Sequence, residues 1–129
     1  MSRSYQVPGF KPGVLESSAD LSTKQFHAVK MHSVGGQVAQ AGAGELAIGI
    51  LQDKPDAALQ GVEIEMDGIS KAVAGAAVAV GAKLMSNAAG RLITATSGNH
   101  VVAIALEAAP SDGAFIAVKV VGSAGQLLA

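Results

Sequence analysis

Val62-Glu63-Ile64-Glu65-Met66-Asp67 alternates apolar and acidic residues without a break. Successive side chains on a strand point to opposite faces, so Val62, Ile64 and Met66 share one face and the three acids share the other. The period predicts a half-buried strand with a solvated acidic face. Charge on that face also protects an edge against pairing with other chains.

Outward from this stretch the chain reads as further short β-segments. Residues 69–73 continue it after a bend at Gly68. Residues 26–31, 46–51, 91–94, 100–106 and 115–121 complete the set. In the last, Ile116, Val118 and Val120 alternate with Ala117, Lys119 and Val121. Gly-rich turns separate the runs at the spacing of an all-β protein, a small β-barrel or sandwich of short strands. Residues 74–82 are ambiguous. Their alanines allow a helical turn, but Gly75, Gly81 and the β-branched Val73, Val78 and Val80 oppose a long helix.

A weak internal repeat runs through the domain. A shift of 54 lays residues 28–55 on 82–109 without a gap, matching Met31 with Met85, Gly36 with Gly90, Ala41 with Ala95, Gly44 with Gly98 and Ile50 with Ile104. Each half reads strand, Gly turn, short strand, Gly turn, buried strand, then a nearby proline (Pro55, Pro110). Two such β-units would close one barrel, because a solenoid needs at least three repeats for a continuous core.

The first twenty residues differ. Pro8-Gly9 and Pro12-Gly13 punctuate them, which excludes a regular helix or a central strand. Residues 1–20 are therefore expected to form an extended N-terminal arm, and residues 21–129 a single β-domain. Tyr5, Val7 and Phe10 make the arm more apolar than a solvated tail requires, and Lys11, with Arg3, adds positive charge for acidic groups on a partner. Tyr5, Val7, Phe10 and Lys11 are the candidate partner-binding residues. Pro8 and Pro12 stiffen the chain between them, which lowers the entropy lost on binding.

The 129 residues are one domain's worth, and half of them are apolar, yet only three Phe and one Tyr are present and Trp is absent. A core built mostly of Ala and Val buries little area per side chain, so stability is expected to draw on oligomerisation. The net charge of −1 argues against a nucleic-acid partner, which requires a basic surface. Zero cysteine removes disulfides, Cys-based zinc sites and thiol catalysis, and is consistent with a reducing cytosol. No apolar stretch is long enough to span a membrane, and the N-terminus carries no secretory h-region.

The catalytic inventory is nearly empty, so no enzyme activity and no cofactor are expected. His27, His32 and His100 show no metal-ligand spacing. Ser97-Gly98 and Ser111-Asp112-Gly113 are explained by turn geometry. Gly75 to Lys83 misses the P-loop register, with five residues between the glycines and Ala82 before Lys83. Gly42-Ala43-Gly44-Glu45-Leu46-Ala47 leads into a strand, not the helix a dinucleotide fingerprint must open. Val29-Lys30-Met31 resembles the M-K-M hairpin of biotinyl carrier domains, themselves two-fold quasi-repeats. Val29 stands where that motif has methionine, and the Ala-Met lead-in is absent. A carrier domain of biotinyl or lipoyl type modified at Lys30 is the second reading.

Three stretches carry a broader resemblance: Phe26-His27-Ala28-Val29-Lys30 through Gly36-Gln37-Val38; Ala41-Gly42-Ala43-Gly44-Glu45 through Ile48-Gly49-Ile50-Leu51-Gln52-Asp53-Lys54-Pro55; and Gly68-Ile69-Ser70-Lys71-Ala72-Val73-Ala74-Gly75 leading to Asn87-Ala88-Ala89-Gly90 and Val102-Ala103-Ile104-Ala105-Leu106. In this order, over residues 20–121, they resemble the small capsid decoration, or cement, proteins of tailed bacteriophages. The resemblance implies a non-enzymatic virion protein. Such a protein is made in the host cytoplasm, binds the major capsid protein on the head exterior as a homo-oligomer, in this case a trimer, and helps the shell resist internal pressure.

Overall fold

The structure is a computed structural model and describes residues 15–121. Among these residues no helix forms, and eleven short strands follow one another: β1 Leu15–Ser17, β2 Ala28–Met31, β3 Gln37–Gln40, β4 Gly49–Leu51, β5 Gly61–Val62, β6 Ile64–Glu65, β7 Gly68–Val73, β8 Lys83–Ser86, β9 Leu92–Thr94, β10 Ala103–Ala105 and β11 Phe115–Val120. They build a six-stranded sheet in the order β5-β1-β3-β2-β4-β6 and a five-stranded sheet in the order β7-β11-β10-β8-β9. The fold is all-β, and the first sheet is a nearly closed barrel.

The acidic alternating stretch closes that first sheet, and it does so as two strands where the period predicts one. Val62 is level with Leu15 of β1. Two residues later the chain has crossed to the other end of the sheet, where Ile64 and Glu65 are level with Leu51 and Ile50 of β4. Gln52 N–H donates to Glu63 C=O at 2.9 Å. One extended segment thus serves one neighbour through Val62 and another through Glu63 and Glu65. The alternation of burial fails for the same reason: Val62 is buried, but Ile64 is only half-buried and Met66 is exposed.

The second half repeats these pairings. Met31 is level with Val38 in the first hairpin, and Ser86 is level with Leu92 in the second. Leu15 opposite Val62 corresponds to Ala72 opposite Ile116. Ser17 runs parallel to Val38, and Ala74 forms a parallel bridge with Leu92, so the second sheet also curls toward closure. Gly36 and Gly90 occupy the same hairpin position with φ of 81° and 82°. Met31 and Met85 do not correspond. The second unit has one residue fewer in its first hairpin, so the partner of Met31 is Ser86, and Met31 is exposed where Met85 is buried. A slip of one residue on a strand turns a side chain to the opposite face.

The similar units extend beyond residues 28–55 and 82–109 because β1 belongs to the first of them. This moves the start of the β-domain from the expected residue 21 to Leu15. Ser17 is fully buried, and its Oγ donates to Ala57 C=O at 2.8 Å. The only apolar cue there, Val14-Leu15, is too short to show a period. Residues 1–14, with the remainder of the expected arm, lie outside the described residues, as do 122–129. Residues 74–82 form no helix; they contribute isolated bridges at Ala74 and Val78.

Leu21, Val29, Val38, Leu51 and Val62 fill the first barrel. Their counterparts Val78, Leu84, Leu92, Ala105 and Ile116 fill the second, and Ala28, Ala41 and Ile50 of the first half join that same cluster. The seam between halves is built from small residues in close approach. Ala28 N–H donates to Gly90 C=O at 2.8 Å, and Gly44 N–H donates to Ser86 C=O at 2.9 Å. A Cβ on Gly90 would lie 2.9 Å from Gln40 Cγ and 3.3 Å from Ala28 C=O. Gly98 has a similar φ, +87°, with nothing within 4 Å. Gly98→Ala is therefore expected to cost only the left-handed strain, about 1–2 kcal/mol. Gly90→Ala should cost measurably more in urea unfolding, because it also opens the seam.

Candidate functional site

β7 and β11 pair in antiparallel register from Gly68 opposite Val120 to Val73 opposite Phe115. Their inward residues, Ala72, Ile116, Val118 and Val120, are buried. The outward face carries Ile69 and Phe115, which keep 69% and 60% of their surface in solvent. Neighbouring Leu106 is also exposed. Contiguous exposed apolar side chains on a soluble domain mark contact surfaces.

Lys71 lies between these residues. Its Nζ is 5.2 Å from the ring centre of Phe26 and 5.5 Å from that of Phe115. The two rings meet edge to face, 6.2 Å apart at 89°. Each cation–π contact at such an exposed position contributes about 0.5–1 kcal/mol. Phe26 holds a left-handed backbone, φ 65°, which is costly for an aromatic residue and is sustained by Phe26 N–H to Leu51 C=O at 2.7 Å and Val73 N–H to Phe26 C=O at 3.1 Å. Two shallow grooves meet at Phe115. One, of about 250 Å³, runs along Ile69, Lys71, Glu107 and Ala117. The other, of about 330 Å³, is bordered by Phe26, His27, Lys54 and Arg91. Arg91 Nη1 donates to Asp112 Oδ1 at 2.8 Å, and Glu107 Oε1 accepts the N–H of Ala117 at 2.7 Å.

This cluster escaped the sequence reading, although a signal existed. The alternation that buries Ile116, Val118 and Val120, extended one residue back, turns Phe115 outward beside Ala117 and Lys119. Its meeting with Phe26 depends on pairing across the two halves, which no local period reports.

The predicted partner-binding residues Tyr5, Val7, Phe10 and Lys11 lie outside the described residues. Lys30 lies within β2, level with Ala39, and not at a hairpin tip. Its Nζ donates to Glu45 Oε1 at 2.8 Å, and the same oxygen accepts the N–H of Gly42. The hydrogen bonds from Lys30 and Gly42 hold the Glu45 carboxyl below its ordinary value. Lys30 thus ties a turn to a strand. Among the described residues, no three His, Asp or Glu side chains converge as a metal site would require. His27 Nδ1 lies 3.0 Å from Gln25 C=O and His100 Nδ1 lies 3.2 Å from Gly44 C=O, while His32 Nδ1 accepts the N–H of Val34. No helix among these residues is long and apolar enough to cross a membrane.

The domain is thus a small duplicated all-β fold whose outer face carries exposed Phe115 and Ile69 beside Lys71. The chain belongs to the phage cement protein family, whose sequence profile matches residues 18–120. A comparison with curated proteins finds no match. Among solved structures the fold is similar to the N base of the head fiber gp8.5 of bacteriophage phi29, with a TM-score of 0.67, 15% identity, and 88% of this chain and 95% of that one covered. At that identity the likeness speaks for the fold. The protein is a structural component of a phage.

His27 supplies a stability test. It is buried at the edge of the second groove, and desolvation lowers its pKa from 6.5, with Lys24 and Arg91 acting in the same direction. The folded state therefore favours neutral imidazole. Its contribution is complete above about pH 6.5 and is lost as pH falls through the lower folded value. The urea midpoint should fall between pH 7.5 and 5, and His27→Gln should flatten that part of the profile.

Proposed function

We propose that the protein binds the outer surface of an assembled phage head, through the major capsid protein, and stabilises the shell as a homo-oligomer, a trimer. The family match across nearly the whole described fold carries this reading. The outward Ile69, Lys71 and Phe115 support it, because aromatic and cationic side chains concentrate binding energy at protein interfaces. A protein that acts in this way requires no catalytic group, and one ring nitrogen of each of His27, His32 and His100 lies against a backbone group. Tyr5, Val7, Phe10 and Lys11 belong to the contact machinery in this proposal. The carrier reading is disfavoured by the mid-strand position of Lys30 and its ion pair with Glu45.

The test is co-sedimentation with expanded phage shells. Wild-type protein should pellet with the shells at saturable stoichiometry, and shells carrying it should resist heat or osmotic rupture better than bare ones. Failure to bind any expanded shell of its own phage overturns the proposal. Deleting residues 2–14, which spares Leu15 and its pairing with Val62, should leave the circular dichroism spectrum of the β-domain intact and lower shell occupancy. An intact mass equal to that of the unmodified sequence after expression in a biotinylating host is the outcome expected for Lys30.

A further inference from the structure

Among the described residues two that are not glycine hold a left-handed backbone, Phe26 and Leu59, and each stands where the other half of the chain has glycine. Leu59 N–H donates to Ser17 C=O at 2.7 Å, and in the corresponding turn Gly113 N–H donates to Ala74 C=O at 2.8 Å. Phe26 N–H donates to Leu51 C=O at 2.7 Å, as Gly81 N–H donates to Ala105 C=O at 2.8 Å. All four φ values lie between 65° and 90°. The same turns therefore form with glycine, and the two bulky side chains impose a strain that the turns do not require. For Phe26 the strain is offset within the chain, by packing against the core and by Lys71. For Leu59 it is not. Leu59 keeps 60% of its surface in solvent and joins none of the three apolar clusters. A strained residue that contributes nothing to its own fold points to a contact outside it.

We infer that Leu59 docks into the groove beside Phe26 and Phe115 of a second copy of the chain. The inference rests on the homo-oligomer proposed above. Charge complementarity selects this occupant. Residues 56–61 form an exposed turn, with Asp56 three residues before Leu59 and exposed Glu16 level with Gly61. Residues 55–63 contain Asp56 and Glu63 but no Lys or Arg. The knob is thus an apolar side chain with an acidic rim. The groove has the opposite character. Phe26 and Phe115 line it, Lys54 and Arg91 border it, and Lys71 lies over both rings. Its one acidic neighbour, Asp112, is held by Arg91. Among the described residues the ion pairs engage Lys30, Arg91 and Lys119, so Lys54 and Lys71 stay available. Burial lowers the pKa of His27 in the groove wall, and the charges of Lys24 and Arg91 lower it further, so positive potential reaches the groove. Opposite potentials on matching apolar patches fix partner and orientation. The chain's own Leu59 does not fill the groove. Its turn is tied down by Ser17 C=O and by Asp56 N–H to Gln60 Oε1 at 2.9 Å, and no residue from 55 to 63 lines either groove. A contact between two unlike patches is heterologous and builds a ring when its rotation closes, as a trimer requires.

Leu59→Gly in the full-length protein removes the side chain and the strain together. Association measured by light scattering should weaken about tenfold or more, the effect of losing one buried leucine side chain. The urea midpoint at a concentration where the chain is monomeric should stay the same or rise. Val80→Ala, at an exposed position outside both patches, should leave association unchanged. Leu59→Gly that associates as wild type does, or that weakens association no more than Val80→Ala, overturns the inference. A complementation experiment tests that the two patches are unlike. Leu59→Gly keeps the groove and Phe115→Ala keeps the knob, so each alone should be monomeric and the mixture should form a one-to-one pair. No gain in mass on mixing overturns the inference, because a contact between like patches would not complement. Shell co-sedimentation of the same samples separates this contact from the function it rests on. Wild-type protein that binds shells as an oligomer while Leu59→Gly associates normally removes the Leu59 contact and leaves the cement function. Loss of shell occupancy in Leu59→Gly with association unchanged places Leu59 against the shell and overturns the inference. A wild-type chain that is monomeric at every concentration overturns the homo-oligomer and the contact together. Weakened association and successful complementation without any shell binding by wild type support the contact while overturning the cement function.

Discussion

The segment from Gly61 to Glu65 has to satisfy two neighbours at once, and the first barrel exists because it does. Val62 turns its backbone to β1, while Glu63 and Glu65 turn theirs to Gln52 and β4, so a five-residue stretch closes a six-stranded sheet. An open sheet of such short strands would expose N–H and C=O groups along two edges. Closure removes both. It also brings Gly49 of β4 so close to Glu65 C=O and the Ile64 side chain that no Cβ fits between them. Glycine is required at that position for space alone, since its φ is not in the left-handed region.

Closure allows a core with almost no large side chains. Among the described residues the buried apolar side chains are Ala, Val, Leu, Ile and one Met, while Phe26 is half-buried and Phe115 is exposed. Removing one methylene group from such a core costs on the order of 1 kcal/mol. With so little area per side chain, the backbone ladder and the seam between halves carry more of the specificity than in an aromatic core. This explains why glycines cluster where the halves meet. At Gly90 and Gly44 a left-handed backbone and a crowded Cβ position coincide, so neither space nor conformation admits another residue without loss.

Much of this architecture was legible in the sequence, for a physical reason. Barrel strands that alternate between core and solvent leave a period of two, as in residues 115–120, and left-handed turns leave glycines, as at Gly36, Gly44, Gly90 and Gly98. The duplication was visible through the same glycines, because a turn that needs positive φ tolerates little drift. The Met31–Met85 match misled by one residue because nothing local marks the shorter hairpin. β1 was hidden because three residues show no period, and its place is set by partners at Val38 and Val62 far along the chain. The exposed aromatic face was hidden for a related reason. Phe26, Lys71 and Phe115 are separated by more than forty residues at each step, and only the fold brings them together.

The position of the aromatics follows from the same economy. A Phe buried in so small a barrel would displace several Ala and Val positions, and the closed backbone has little freedom to widen. Placed outside, Phe26 and Phe115 cost the core nothing. Lys71 sits over both rings, which meet edge to face, and Phe115 keeps most of its surface in solvent. An exposed Phe on a lone domain is a liability, since it invites non-specific association. Flanking it with Lys71, Arg91 and Lys54 limits that liability, because a partner that covers the rings must also meet the charges. An apolar surface alone would select for any greasy neighbour, whereas rings edged by cations select for a neighbour with matching shape and charge.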